Sequence, residues 1–312
     1  MVNKDIQKML EQRRGPYARQ RLEIEKEAQG FGQGIGFVSI EDLARSSSIL
    51  IRAVLMATGL YWRGIRNAAK VAIRHNRIES PHLPNAFDGL IIVQLSDLHV
   101  EMSEGAIERA IDLLRGARYD FCILTGDYRG GTYGPYDTTL AGMARVRDAL
   151  KGPIYGVLGD HDTVCMVPGL EEMGIRVLLN ESVVIERGDQ RLHLGGINDA
   201  RSYGVGNIEK AAAAIPHDEF SILLSHTPEV YRQAAAAGFN VLLSGHTHGG
   251  QICLPGGIPI TLLSVLPRSM GAGAWKYHDM IGYTSVGAGS SVVPVRFNCP
   301  PEITLHHLHR SS

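Results

Sequence analysis

Five short apolar runs each end in an aspartate or a histidine, and this pattern limits the possible folds of the 312-residue chain. The runs are LIIVQL before Ser96-Asp97, FCILT before Gly126-Asp127, IYGVL before Gly159-Asp160, SILL before Ser225-His226 and NVLL before Ser244-Gly245-His246. Such runs are typical of strands buried on both faces of a sheet. The segments GAIERAIDLLRG and TTLAGMARVRDALKG between them predict amphipathic crossover helices. The sequence therefore predicts an α/β fold.

The polar residues that follow these strands predict a metal site. In open α/β sheets, ligands bind at the carboxyl ends of the strands. A single Asp or His there usually caps an element or satisfies a core group, but five such ends are hard to assign to capping. Clustered carboxylates and imidazoles lose hydration and repel one another unless cations neutralise them. Mixed oxygen and imidazole ligands suit Mn, Fe, Zn or Co better than Ca or Mg.

The same motifs resemble those of the calcineurin-like metallophosphoesterase family. They are SDLH, GDY, GDHD, SHTP and GHTHGGQ, in the family's order, and the similarity extends from about residue 86 to the C-terminus. The phrases LPNAFDGLIIVQLSDLH, HTHGGQICLPG and VGAGSSVVPVRFNCPPEITLHHL resemble the branch of membrane-associated bacterial phosphoesterases and UDP-2,3-diacylglucosamine hydrolases. The resemblance implies a β-sandwich of two mixed sheets flanked by helices, in four α/β/β/α layers with an N-terminal helical extension.

The resemblance also implies roles for the motif residues. Asp97, His99 and His248 would hold one metal, Asp160, His226 and His246 would hold a second, and Asp127 would bridge them. The cofactors would be two divalent transition metals, with manganese expected and Fe, Zn or Co as alternatives. A hydroxide between the metals would attack phosphorus, and His161 would act beside the leaving group, with Asp162 as its possible partner.

Four basic residues are candidates for substrate binding, and one candidate metal ligand departs from the family pattern. Arg129, Arg201 and Arg296 are predicted substrate contacts, and Lys276 is a weaker candidate. The family usually has Asn where this chain has Asp160. The added negative charge is expected to tune metal choice or rate while Asp160 still binds metal.

The region before residue 86 is predicted to lie outside the catalytic domain. We expect a polar, peripheral extension over residues 1–47, an amphipathic helix and linker over 48–85, and the catalytic domain over 86–312. One helix over residues 48–77 would align six basic side chains beside a broad apolar surface: Arg52, Arg63, Arg66, Lys70, Arg74 and Arg77. This pattern predicts a helix lying on a membrane surface, and the alternative is a helix packed on the domain or on a partner chain.

These observations predict a phosphoester or phosphoanhydride hydrolase acting on a phosphorylated small molecule or a lipid-linked substrate such as UDP-2,3-diacylglucosamine. The alternatives are a soluble phosphodiesterase or nuclease of the same fold, and a non-catalytic scaffold. A formal net charge of −1 argues against nucleic acid as a partner. The polar N-terminus is unlike a secretory signal, and four cysteines without a CxxC pair or a short-spaced framework suit free thiols in a reducing compartment. We therefore expect a cytoplasmic protein, peripheral on the inner face of the membrane.

Overall fold

Two six-stranded sheets lie face to face in the computed structural model, which describes residues 16–31, 40–262 and 264–311. The first sheet contains, in spatial order, β1 (Ala72–Ser80), β14 (Glu302–Arg310), β2 (Ile91–Leu95), β3 (Phe121–Leu124), β4 (Ile154–Gly156) and β5 (Ile175–Val177). The second contains β12 (Gly273–Tyr277), β13 (Met280–Thr284), β9 (Val241–Ser244), β8 (Ser221–Leu224), β7 (Gln190–Gly196) and β6 (Glu181–Arg187). A small hairpin joins β10 (Cys253–Leu254) to β11 (Ile258–Pro259).

Both sheets are mixed, and their parallel central strands carry the site. Strands β2, β3, β4 and β5 are parallel, while β14 runs antiparallel to β2. In the second sheet β7, β8, β9 and β13 are parallel, and β6 and β12 are antiparallel neighbours at the two edges. The five strands predicted from their apolar runs are all present.

Helices cover the outer faces of the sandwich and produce the predicted four layers. They are α1 (Pro16–Phe31), α2 (Ile40–Ala57), α3 (Tyr61–Ala68), α4 (Glu104–Gly116), α5 (Asp137–Ala149), α6 (Val167–Glu172), α7 (Ile208–Ala212) and α8 (Tyr231–Ala236). Helices α1, α4, α5 and α6 pack on the first sheet, and α7 and α8 pack on the second. A third apolar cluster, which includes Ile92, Ile123, Ile222 and Leu243, fills the space between the sheets.

The prediction of one helix over residues 48–77 is wrong. Helix α2 ends at Ala57 and is followed by Gly59, whose φ of 71° lies in the left-handed region. The short helix α3 follows, and Arg74 and Arg77 lie on strand β1, which pairs in parallel with β14. The backbone hydrogen bonds of β1 depend on residues more than 200 positions away, which local periodicity cannot reveal.

The described part of the N-terminal extension is packed on the domain rather than peripheral. Ala18 and Leu22 of α1 join the core that covers the first sheet, and Arg21 and Glu25 are buried. The proposed boundaries after residues 47 and 85 stay predictions, although β1 lies before residue 86 and is part of the first sheet. Within the described residues, none of the helices combines the length and the apolar character needed to cross a bilayer.

Candidate metal centre

The ends of five central strands bring seven Asp and His side chains together between the two sheets. Asp97 and His99 follow β2, Asp127 follows β3, and Asp160 follows β4 in the first sheet. His226 follows β8, and His246 and His248 follow β9 in the second sheet. The site therefore forms where the carboxyl ends of strands from both sheets meet, as the sequence pattern predicted.

The backbone at the site adopts conformations that are unfavourable for residues with a Cβ atom. Five of the seven residues have φ between 39° and 72°: Asp97, His99, Asp127, His246 and His248. Each such residue costs on the order of 1–3 kcal/mol and is retained where surrounding structure holds it. These turns aim consecutive polar side chains into one small volume.

Two glycines allow the site to close around its carboxylates. A Cβ on Gly159 would lie 2.1 Å from Asp127 Oδ1, and a Cβ on Gly245 would lie 2.3 Å from Asp97 Oδ2. Neither approach is possible for any other residue without displacing a carboxylate. The glycines of the GDHD and GHTHGGQ motifs are thus required by close packing.

One group of candidate ligands consists of Asp97, His99 and His248. His99 Nε2 lies 3.1 Å from His248 Nε2, and His248 Nε2 lies 3.5 Å from Asp97 Oδ1. All three residues are buried. Two imidazole nitrogens that face each other beside a carboxylate provide a donor set for a cation.

A second group consists of Asp160, His226 and His246. Asp160 Oδ1 lies 2.9 Å from His226 Nε2 and 3.1 Å from His246 Nδ1. His226 is buried, whereas Asp160 and His246 are partly exposed, so this group is the more open of the two.

Asp127 lies between the two groups. Its Oδ2 atom is 3.6 Å from His99 Nε2 and 3.5 Å from His226 Nε2. Its other oxygen, Oδ1, accepts a hydrogen bond from the backbone N–H of His161 at 3.0 Å. One carboxylate oxygen therefore faces a histidine from each group.

Hydrogen bonds to backbone carbonyls orient two of the histidines. His226 Nδ1 donates to the carbonyl of Thr125 at 2.8 Å, and His99 Nδ1 donates to the carbonyl of Arg129. Each bond places the proton on Nδ1 and leaves Nε2 facing the cluster with a lone pair. This is the usual arrangement of histidine ligands in metal sites.

Burial and mutual repulsion perturb the pKa values of the clustered groups. Burial, with the Asp127 carboxylate nearby, raises the pKa of Asp97 to about 6. Burial lowers the pKa of His99 to about 4, which keeps this imidazole neutral near pH 7. A metal ion would favour the same two states that ligation needs, an ionised carboxylate and a neutral imidazole.

His161 lies at the edge of the cluster, but the predicted Asp162 partner faces elsewhere. His161 Nδ1 is 3.0 Å from the hydroxyl of Thr132. The Asp162 carboxylate accepts from the backbone N–H groups of Asp127 (2.8 Å), Tyr128 (2.9 Å) and Gly159 (2.9 Å). Asp162 thus holds the backbone behind the site, and the hydroxyl of Thr132 forms the hydrogen bond to the His161 ring.

The four basic residues predicted as substrate contacts lie in different surroundings. Arg296 is fully buried and donates to the carbonyls of Gly289 and Val286, and its Nη2 lies 3.2 Å from His248 Nδ1. The guanidinium of Arg129 donates to carbonyls of its own loop, those of Thr132 and Gly134.

The guanidinium groups of Arg129 and Arg296 thus donate to backbone carbonyls, and their role as substrate contacts stays a prediction. Arg201 contacts the ring of His246 and lies 3.3 Å from Glu229, so it remains at the rim of the site. Lys276 lies instead in a groove beside the β12–β13 turn, among residues of that turn and of α8.

The comparisons with known proteins agree with this geometry. Residues 90–250 match the family described as calcineurin-like phosphoesterase, which covers the strands that carry all seven residues. The chain belongs to the calcineurin-like phosphoesterase family. It is a hydrolase that acts on phosphate esters, and members of the family use a dinuclear divalent metal centre, for which the clustered residues are candidate ligands.

Similar proteins occur in bacteria and vertebrates. The chain is 30% identical over 271 residues to an uncharacterized metallophosphoesterase, YkoQ, of Bacillus subtilis, covering 83% of this chain and 98% of the relative. It is 27% identical over 231 residues to the phosphodiesterase YaeI of Escherichia coli, covering 70% and 81%. It is 28% identical over 277 residues to a transmembrane protein with metallophosphoesterase domain of Danio rerio, covering 82% of this chain and 61% of that protein.

Proposed function

We propose that this phosphoesterase hydrolyses a phosphodiester or pyrophosphate bond of a lipid-linked substrate, at a membrane surface and with two divalent transition metals. UDP-2,3-diacylglucosamine is the first candidate substrate, and manganese is the first candidate metal, with Fe, Zn or Co as alternatives. The observation that carries the proposal is the position of Asp127, which lies within 3.6 Å of a histidine in each candidate ligand group.

The seven side chains divide naturally into two metal positions. Asp97, His99 and His248 would hold one metal, and Asp160, His226 and His246 the other, with Asp127 shared between them. When bound, the metals would neutralise phosphoryl oxygens and increase the acidity of a coordinated water. The mixture of carboxylate and imidazole donors favours Mn, Fe, Zn or Co over Ca or Mg.

His161 is suited to stabilise or protonate the leaving group. Burial disfavours the charged imidazolium, but the carboxylates of Asp127, Asp160 and Asp162 raise the pKa of His161 above its usual value. Its Nδ1 contacts Thr132, which leaves Nε2 available for an oxygen of the substrate. A proton on this nitrogen could be transferred as the ester bond breaks.

The membrane part of the proposal depends on an exposed apolar surface on α2 and α3, formed by Ile49, Leu50, Val54, Met56 and Trp62. Each of these side chains is more than half exposed, up to 68% for Trp62. Arg52, Arg63 and Arg66 on the same helices are also exposed. Apolar side chains that alternate with arginines are typical of helices that bind the interface of an anionic bilayer.

This apolar surface is connected to the candidate metal centre. Helix α3 packs on the loop of residues 293–297, where the backbone N–H of Arg296 donates to the carbonyl of Gly64 at 3.1 Å. Arg296 in turn contacts His248. A lipid-linked substrate held at this surface would therefore lie on a helix that packs against the same loop as a candidate metal ligand.

The relatives support a membrane setting without deciding the substrate. The Danio rerio relative is named as a transmembrane protein with a metallophosphoesterase domain. Binding through arginines favours the cytoplasmic leaflet, where anionic lipids are concentrated. We therefore propose that the protein acts from the cytoplasmic side as a peripheral protein. The name of the E. coli relative, a phosphodiesterase, supports a diester substrate and leaves a soluble phosphodiesterase as the second candidate.

A panel assay tests the reaction. Protein loaded separately with Mn, Co, Zn and Fe would be compared on a phosphomonoester, a soluble chromogenic diester, a phospholipid and UDP-2,3-diacylglucosamine. We expect the highest kcat/KM on a lipid-linked substrate with manganese. Asp127→Asn should reduce kcat on every substrate by at least about 100-fold, since the residue shared by both metals would lose its charge. A preference for soluble diesters would favour the second candidate.

Vesicle binding tests the membrane surface. The double variant Leu50→Asp/Val54→Asp should lose binding to vesicles that contain phosphatidylglycerol, while hydrolysis of the soluble diester stays within about twofold of wild type. Val184→Asp is the matched control, because Val184 is 47% exposed on edge strand β6, far along the chain from α2. Undiminished vesicle binding by the double variant would contradict the proposed surface.

A further inference from the structure

Arg21 on helix α1 reaches the backbone of the GDHD loop, defined here as residues 159–162. Its side chain is fully buried, although α1 belongs to the N-terminal extension and not to the segment that matches the family. Arg21 Nη2 donates to the carbonyl of Gly159 at 2.8 Å and to the carbonyl of Asp162 at 2.6 Å. These two carbonyls are the first and the last of the loop, and the loop contains Asp160 and His161.

The remaining donors of Arg21 fix its own position. Its Nε donates to Glu25 one helical turn later at 2.9 Å, and its Nη1 donates to the side-chain oxygen of Asn198. A planar guanidinium with five N–H groups can bind several acceptors at once in a rigid arrangement, which an ammonium group cannot reproduce. Arg21 thus connects α1, the GDHD loop and the end of β7.

Glu25 extends this contact along the chain. Its Oε2 accepts from the hydroxyl of Thr163 at 2.6 Å, and its Oε1 accepts from the backbone N–H of Val164 at 3.0 Å. The Arg21–Glu25 pair therefore binds the loop and the residues directly after it, with Arg21 at residues 159 and 162 and Glu25 at residues 163 and 164. Removing one partner of such a buried ion pair strongly destabilises the folded protein, because the other charge is left buried without a partner.

Tyr203 contacts both Arg21 and the loop. The Arg21 guanidinium carbon lies 4.3 Å from the centre of the Tyr203 ring. The Tyr203 hydroxyl donates to the carbonyl of Asp160 at 3.3 Å. Three carbonyls of the loop are therefore held by side chains, those of Gly159, Asp160 and Asp162.

We propose that Arg21 is a positioning residue, which holds the GDHD loop so that Asp160 meets His226 and His246 and His161 stays at the edge of the metal centre. Helix α1 is then part of the catalytic unit. This inference depends on the proposed function only in that Asp160 is taken as a metal ligand. A displacement of about 1 Å in a ligand or a proton donor is enough to impair positioning severely.

The proposal distinguishes the two metal positions. Arg21 contacts the loop that carries Asp160, whereas Asp97, His99 and His248 lie on other loops. Loss of Arg21 should therefore weaken the second metal position more than the first, because the loop reaches the first position only through the shared Asp127. A purely structural role for the buried pair predicts lower stability of the whole protein with unchanged affinity for both metals.

The test is a metal titration of metal-free, full-length protein, with Mn²⁺ as the probe, on wild type, Arg21→Lys and Arg21→Ala. We expect two binding steps in wild type. The affinity of the step at the second metal position should fall about 10- to 100-fold in both variants, while that of the other step stays within about threefold of wild type. On the soluble diester, kcat should fall about 10- to 100-fold with little change in KM. Guanidinium chloride at millimolar concentrations should partly restore both quantities in Arg21→Ala, since it can refill the emptied site.

Arg19→Ala is the matched control. Arg19 lies on the same helix and pairs with Glu23 at 3.0 Å, but both side chains are largely exposed. This variant should keep wild-type metal affinities and kcat. Arg21→Lys keeps the positive charge and is the variant to use if Arg21→Ala does not fold.

Wild-type affinity for both metals and wild-type kcat in Arg21→Lys would overturn the proposal, whatever its melting temperature. So would an equal loss of affinity at both positions. If wild type bound two metals but hydrolysed none of the esters, the proposed function would fail while the metal titration would still decide the role of Arg21.

Discussion

Charged side chains near the metal centre differ in what they face, although their residue types are similar. Asp127 and Asp160 face the clustered histidines, whereas Asp162 accepts hydrogen bonds from backbone N–H groups behind the site. The guanidinium of Arg296 likewise donates its hydrogen bonds to backbone carbonyls. Buried charges of this kind need partners, and backbone groups provide them without a metal. Residue type alone therefore does not separate a ligand from a bracing residue.

The carboxylate at position 160 leads to a prediction for Asp160→Asn. An amide oxygen can still ligate a metal but carries no charge, so the second metal should bind on the order of tenfold more weakly. Hydrolysis should persist, and turnover of anionic diesters should be unchanged or higher because repulsion decreases. Metal content and steady-state kinetics would be compared with those of Asp160→Ala, which should lose the second metal. If Asp160→Asn matched wild type in both measurements for every ester, the carboxylate would have no tuning role.

His306 leads to a prediction about pH. Its Nε2 donates to Gln94 at 2.8 Å and its Nδ1 accepts from Asn76 at 3.0 Å, so the ring is satisfied only when neutral. Burial lowers the pKa of His306 to about 3. In the unfolded chain the pKa is about 6.5. The unfolded state therefore binds more protons between these values, and the stability that His306 contributes above pH 6.5 is lost as the pH falls towards 3.

Urea unfolding at pH 7 and pH 5 measures this effect. Between these pH values wild type should lose about 2 kcal/mol more unfolding free energy than His306→Gln, from 1.36 kcal/mol per pH unit. At pH 7 the variant should be the less stable protein, since a buried hydrogen-bonded ring is lost. Equal pH dependence in the two proteins would show that His306 does not titrate as described.

At the scale of elements, the contact between α3 and the 293–297 loop is too tight for a larger residue. A Cβ on Gly64 would lie 2.7 Å from Val295 Cβ and 2.8 Å from Phe297 Cε2. Gly64→Ala should therefore lower the unfolding free energy by about 1–3 kcal/mol, because helix and loop must separate. Gly116→Ala, at the end of α4 with no atom near its Cβ position, should be neutral or slightly stabilising. Chemical denaturation measures the unfolding free energy of both variants, and an unchanged value for Gly64→Ala would contradict the tight contact.

Some elements of this fold can be predicted from the sequence, and others cannot. Buried central strands are recognisable because their apolar runs are continuous, and the residues that follow them are brought together by the geometry of parallel strands. Strand β1 resembles a helix in sequence because the spacing of its basic residues fits a helical stripe by coincidence. Thr58-Gly59 was a usable stop signal, since glycine in the left-handed region commonly ends a helix. Arg21 could not be assigned to the site, because its acceptors lie 138 and 141 residues away.

At the scale of the whole molecule, the candidate metal centre lies between the two sheets. Four candidate ligands follow strands of the first sheet and three follow strands of the second, so bound metal would connect both halves of the sandwich. Without metal, the cluster brings carboxylates close together, and the pKa of Asp97 is raised to about 6 by burial and by the neighbouring Asp127. Removing the metals should therefore destabilise the complete sandwich rather than one loop.

Chelation should therefore lower the melting temperature, and added metal should restore it in a concentration-dependent manner. A ligand that binds only the folded state stabilises it by about 2.7 kcal/mol at 100 times its Kd. Calorimetry of metal-free protein at increasing Mn²⁺ should therefore show one unfolding transition that moves upward as a unit. His226→Ala should reduce this gain, because the residue belongs to the second sheet and faces Asp127 of the first. Two separate transitions, with only one responding to metal, would mean that the sheets unfold independently and that the centre does not unite them.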